Sequence, residues 1–140
     1  MLREELRKRL VEEYRYAVNK MQETDDLTRK LFYFSVFFGE AKRLINWEWN
    51  RELSLVHLVT QQVHTQINAA LQAPNRLPID WIGHFKRLTQ VSSELATYFE
   101  NVEKEGSTEE IYQILGHLAE IGYTFTGNGH YLYEKGILKI

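Results

Sequence analysis

Between Leu27 and Ile45 the chain repeats apolar side chains every three or four residues, at Leu27, Leu31, Phe34, Phe38, Ala41 and Ile45. That spacing marks an α-helix with one buried stripe. Phe32, Tyr33, Val36 and Phe37 then fill the faces between, so the middle of the helix has almost no polar side. A helix of this kind belongs at the centre of a bundle or against a partner. The other segments are therefore read as what packs around it.

They share its period. Leu2, Leu6, Leu10, Tyr14, Ala17, Val18 and Met21 mark a first helix from Leu2 to about Met21, with Arg, Lys and Glu on its wet face. Thr24, Asp25 and Asp26 are N-cap candidates for Leu27–Ile45. A third helix is expected from Arg51 to about Gln72, capped by Asn50 and buried through Leu53, Val56, Thr60, Val63, Ile67 and Leu71. Trp47 and Trp49, just before it, are expected to pack at the corner. The chain's two prolines, Pro74 and Pro78, bracket a loop. Asp80 suits the cap of a fourth helix to about Glu105, with a stripe that includes Trp81, Phe85, Leu88, Leu95 and Phe99. Gly106 suits its end. Ser107 to Glu110 then reads as a capping box for a fifth, buried through Ile111, Leu115, Leu118 and Ile121.

The tail is open between two forms. Tyr123 to Tyr133 fits a β-hairpin about Gly127-Asn128-Gly129, and equally a helix end. The expected fold is all-α, about five helices in an up-down bundle. Residues 1–140 form one domain, with 123–140 a separate extension if the hairpin forms.

Composition narrows the function classes. The absence of Cys excludes a disulfide framework, a thiol nucleophile and a Cys-based metal site. No motif calls for a cofactor. Charge is nearly balanced, 17 Lys+Arg against 19 Asp+Glu. Residues 1–72 hold 11 basic and 10 acidic side chains, and residues 73–140 hold 6 and 9. So slight an asymmetry argues against a strongly electrostatic nucleic-acid binder. A local basic face remains at Arg3, Arg7, Lys8, Arg9 and Arg15, offset by Glu4, Glu5, Glu12 and Glu13. No apolar run is long enough for a membrane span, and the first ten residues lack the apolar core of a signal peptide. The expected location is the cytoplasm, or a particle assembled there.

Candidate chemistry rests on histidines. His57 and His64 are seven residues apart on the third helix, about 10.5 Å along its axis. That is too far for one metal ion, whose paired ligands on a helix need i,i+3 or i,i+4 spacing. A site would have to draw Glu40, Glu52, His84 or His117 from elsewhere.

Arg51 and His57 stand at Arg-x5-His spacing at a helix start. This resembles the Arg-x4–6-His motif of HEPN domains, small all-α ribonucleases and toxins, many of them dimers. The run Gly39-Glu40-Ala41-Lys42-Arg43-Leu44 resembles a segment that precedes the motif in the toxin branch. The resemblance implies that Arg51 polarises a phosphate and that His57 is the general acid or base, without metal. In that family the motif sits late in the chain; here more than half of the chain follows it, and Glu52 directly follows the arginine.

Aromatic residues make up 13% of the chain. A five-helix bundle buries one face of each helix, which cannot cover all sides of Leu31–Phe38 and a tyrosine-rich tail as well. The leading expectation is a non-enzymatic helical assembly protein that self-associates, a coat-like subunit or a small subunit of a nucleoprotein complex. Its interface candidates are Phe32, Tyr33, Phe37, Trp47, Trp49, Tyr131 and Tyr133. The HEPN-like ribonuclease and a metal-binding bundle are the alternatives.

Overall fold

The computed structural model describes residues 3–73, 81–101 and 108–137. The expected Asp80 cap, Gly106 and the start of the Ser107 capping box lie outside them, as does most of the proline loop. The described residues form helices α1 (Glu4–Gln22), α2 (Leu27–Ile45), α3 (Arg51–Leu71), α4 (Trp81–Asn101), α5 (Thr108–Tyr123) and α6 (Gly127–Glu134), with no strand among them. Two expected caps are in place. Asp26 Oδ1 accepts from the Arg29 N–H at 3.1 Å and Asn50 Oδ1 from the Leu53 N–H at 3.0 Å.

The helices close into a ring. α1 packs on α2, α2 on α3, α3 on α5, α5 on α4, and α4 back on α1. Paired residues give the directions. Met21 meets Lys30 at one end of α1–α2, and Glu13 meets Arg43 nearer the other, so these helices are antiparallel. Arg7 reaches Glu100 and Arg15 reaches Ser93, which makes α4 antiparallel to α1. Phe125, just past α5, contacts Phe85 at the start of α4, so α5 is antiparallel to α4. Five residues join α2 to α3, which reverses the chain once more. Successive helices thus alternate up and down, yet α3 and α5 are parallel neighbours, because an odd ring cannot alternate all the way round. Gly122 permits that contact. A Cβ there would stand 3.1 Å from the Val63 Cα and run into the Gln66 side chain.

The core stripe of α2 is turned by about one residue from the expected one. Lys30, Leu31, Phe34, Phe37, Glu40, Ala41 and Leu44 are buried, whereas Leu27, Phe38 and Ile45 are only partly so. Both stripes are apolar enough to serve, and the one chosen carries two charges that find partners. Lys30 Nζ donates to the Met21 carbonyl at 2.6 Å, which satisfies an orphan group at the end of α1. Burial lowers the Lys30 pKa, and Asp25 opposes that shift. Of the two placements expected for α2, the central one is not found: α2 is one wall of the ring, and one of its faces meets solvent.

The hairpin is corrected. α5 runs through Tyr123, and the Thr124, Phe125 and Thr126 amides bond back to its last carbonyls. Thr126 Oγ1 then accepts from the Gly129 N–H at 3.0 Å and caps α6. Thr124 and Thr126 each donate to the carbonyl three residues back, so the polar members of the apparent alternation serve the helix end. Phe125 is buried against His84 and Phe85, which fixes the turn.

Glycines separate sharply under substitution. A Cβ at Gly129 would collide with the Tyr123 carbonyl, whereas at Gly39 and Gly116 nothing stands within 4 Å. Gly129→Ala is expected to destabilise the fold by about 1–3 kcal/mol. Gly39→Ala and Gly116→Ala, in helix interiors, are expected to stabilise it by about 0.5–1 kcal/mol. Urea denaturation of the three variants checks both signs.

Candidate functional site

The solvent face of the α1–α2 seam is aromatic. Tyr16 of α1 meets Tyr33 of α2 edge-on, ring centroids 6.2 Å apart and planes at 82°. Phe32 stands edge-on to Tyr33 at 5.2 Å. Phe32 is 66% exposed, although a phenylalanine is among the most commonly buried residues. The Lys20 ammonium lies 5.8 Å from the Tyr16 ring centroid, within cation–π range. Three rings and a cation therefore line one surface, with edge-to-face geometry fixing their relative orientation.

The other interface candidates divide. Phe37 is a correction: it is fully buried, 4.6 Å from the Tyr14 ring, and belongs to the core. Its backbone carbonyl accepts the Tyr14 hydroxyl at 2.8 Å. Trp47 and Trp49 do not pack at a corner; they are 72% and 70% exposed. The turn between α2 and α3 is held without their side chains. Leu44 O accepts from the Trp47 and Glu48 amides, Arg3 pairs with Glu48 at 3.1 Å, and Asn50 caps α3. Tyr131 is exposed on α6 with Lys135 over its ring. The Tyr133 side chain lies outside the described part of the structure.

Farther along the α1–α2 seam lies a charged cluster that the sequence pattern does not mark as a unit. The Glu40 side chain is only 3% exposed. Its Oε1 accepts from Arg43 Nη2 at 2.7 Å, and the same nitrogen donates to Glu13 Oε2 of α1 at 3.3 Å. Burial is the main reason the Glu40 carboxyl is pushed up to about 7; its hydrogen bond with Glu13 adds to the rise and Arg43 opposes it. Burial likewise raises the neighbouring Tyr14 phenol well above its ordinary value. The signal was present in the sequence: Glu40 is three residues after Phe37 and four before Leu44, on a core stripe.

Most of the candidate basic face is engaged within the bundle. Arg7 donates to the Glu100 carbonyl at 2.9 Å, near the C-terminal end of α4, where a cation is favoured. Arg15 joins α1 to α4 through Glu100 at 2.7 Å, Thr97 at 3.1 Å and Ser93 at 3.4 Å. Arg3 holds Glu48, which leaves Lys8 and Arg9 exposed on the outer face of α1.

Arg51 and His57 share α3, six residues apart, which is about 9 Å along the axis and a third of a turn around it. Arg51 is exposed and bonds Glu52 at 3.2 Å, while His57 is half-buried. His64 packs its ring on Phe38 at 5.2 Å, and burial lowers its pKa. Among the described residues no three His, Asp or Glu side chains converge as a metal site would require. No helix among them is long and apolar enough to cross a membrane. Comparison with protein-family models, curated proteins and solved structures finds no match to this chain.

Arg15 is expected to act as a structural tie. Arg15→Ala should lower stability by about 0.5–1 kcal/mol, while Lys8→Ala with Arg9→Ala stays within about 0.5 kcal/mol of the wild type. Chemical denaturation of both variants measures the contrast.

Proposed function

We infer that this chain is a helical assembly module: a single domain, not an enzyme, that self-associates through the aromatic seam of α1 and α2. The observation that carries this reading is Phe32, two-thirds exposed beside Tyr16 and Tyr33 on one continuous surface. Burying a phenylalanine side chain contributes about 1.5–3 kcal/mol. A two-fold interface would bury each such ring twice, once per copy. Aromatic residues are also the ones enriched where protein interfaces hold most of their energy. Trp47 and Trp49, on a turn held by other residues, supply a second exposed apolar surface through which an assembly extends beyond a pair.

In this reading the module is a coat-like or scaffold subunit, or a small subunit of a nucleoprotein complex, in the cytoplasm or in a particle assembled there. Any nucleic-acid contact falls to the exposed Lys8 and Arg9, since Arg3, Arg7 and Arg15 are tied within the bundle. The contact would be slight and salt-sensitive.

Sedimentation velocity over a wide concentration range tests the association. The wild type is expected to sediment faster as concentration rises. Tyr16→Ser with Phe32→Ser should weaken association at least about tenfold, a loss of about 1.4 kcal/mol, and leave thermal stability nearly unchanged. A wild type that is monomeric at every concentration would overturn the reading. RNA cleavage that His57→Ala abolishes would replace it with the ribonuclease.

A further inference from the structure

Glu13 and Glu40 come from different helices and converge on one nitrogen of one guanidinium, Arg43 Nη2. Two carboxylates thus share a single cation. Glu40 is buried, while Glu13 and Arg43 reach solvent. With both carboxylates ionised the cluster carries an uncompensated negative charge at the α1–α2 contact; one proton removes it. Tyr14 faces the cluster from α1 with its hydroxyl committed to the Phe37 carbonyl. Among the described residues α3 and α4 bring no ion pair to Glu40: His64 of α3 lies on Phe38, Thr89 of α4 meets Lys30, and Glu100 of α4 is held by Arg15.

The cluster and the aromatic surface lie along the same seam. Tyr16 is three residues from Glu13 on α1, and Tyr33 is seven residues from Glu40 on α2, so each pair shares a face of its helix. The Tyr16–Tyr33 contact spans the same two helices that Arg43 and Glu13 join. We propose that Glu13, Glu40 and Arg43 form a proton-operated latch between α1 and α2, and that pH regulates self-association by setting how firmly the aromatic surface is held. The regulatory half rests on the assembly reading; the latch itself does not.

The direction follows from proton uptake. Glu40 holds its proton up to about pH 7 in the folded chain, whereas its ordinary value is 4.5. Between those values the folded state binds more protons than the unfolded one. Stability therefore falls as pH rises from 4.5 to about 7 and is flat with respect to this group above that.

The test is urea denaturation of the full chain between about pH 5 and pH 8, for the wild type and Glu40→Gln. Glutamine still accepts from Arg43 but cannot ionise. The wild-type unfolding constant should rise by up to about tenfold per pH unit below pH 7, and the variant should lose most of that slope. Equal slopes overturn the latch. Should Glu40→Gln fail to fold, the carboxyl ¹³C titration of Glu40 in the wild type decides: a midpoint near 7 supports the latch, and one near 4.5 overturns it. Glu13→Gln should move that midpoint down. Sedimentation equilibrium then reads the regulation. The wild type should associate at least about threefold more tightly at the acidic end of the range, and Glu40→Gln equally at both ends. A wild-type association constant independent of pH overturns the regulatory half. A monomer at every pH overturns that half and the assembly reading together, while the urea data still decide the latch.

Discussion

Five helices that close into one ring cannot all run antiparallel to both neighbours. In this chain the parallel contact falls between α3 and α5, and much of the architecture follows from that placement. Parallel neighbours align their macrodipoles instead of opposing them, a small cost that close packing must offset. Gly122 lets α5 approach the backbone of α3 at Val63. Phe125 then anchors the end of α5 beside Phe85, and Gly129 lets α6 fold back on the Tyr123 carbonyl. The contacts of α1 with α2 and α4 are held differently, by side chains that cross between helices: Lys30 to Met21, Tyr14 to Phe37, Arg7 and Arg15 to Glu100.

The same contrast explains what was legible in the amino-acid sequence. Helix positions follow from local periodicity and capping, and Asp26 and Asn50 cap as their spacing indicates. Which face of α2 turns inward does not follow, because the helix is apolar nearly all round. Phe32 and Phe37 are indistinguishable by composition, yet one is exposed and the other wholly buried. They are separated by about 140° around the helix, and the choice between them is made by the helices packed against α2, chiefly α1 and α3. Of the two forms left open for the tail, the helix end is found and the hairpin is not, for a related reason. Alternation of threonine with aromatic residues reads as a strand only if the hydroxyls face solvent, and here they bond to helix carbonyls.

The candidate site was legible in part. An excess of aromatic residues indicated an exposed surface, and the Tyr16–Phe32–Tyr33 seam is one, although Tyr16 had not been singled out. The basic residues of α1 looked like one face in the linear pattern. In the fold Arg7 and Arg15 belong to the contact with α4, some eighty to ninety residues away in sequence. In the linear pattern Glu40 reads as a candidate metal ligand or as part of the Gly39–Leu44 run, because pairing with Arg43 and Glu13 requires knowing that α1 lies against that side of α2. Charges within a helical stripe are informative, but their partners are set by tertiary neighbours.

The position of α4 also bears on how such a chain is made. The first three helices are consecutive neighbours and can dock as they leave the ribosome, through contacts close in sequence. They form an open sheet of helices, with the flank of α1 bare. That flank is the one later covered by α4, which carries Phe99 against Tyr14 and the acceptors for Arg7 and Arg15. Until about a hundred residues have been synthesised, the nascent chain keeps part of its eventual core and two buried-side arginines facing water. Closure is thus a late, long-range step, slower than the pairing of the first helices. The exposed aromatic rings of the α1–α2 wall and an unfinished core are therefore displayed at the same stage of synthesis.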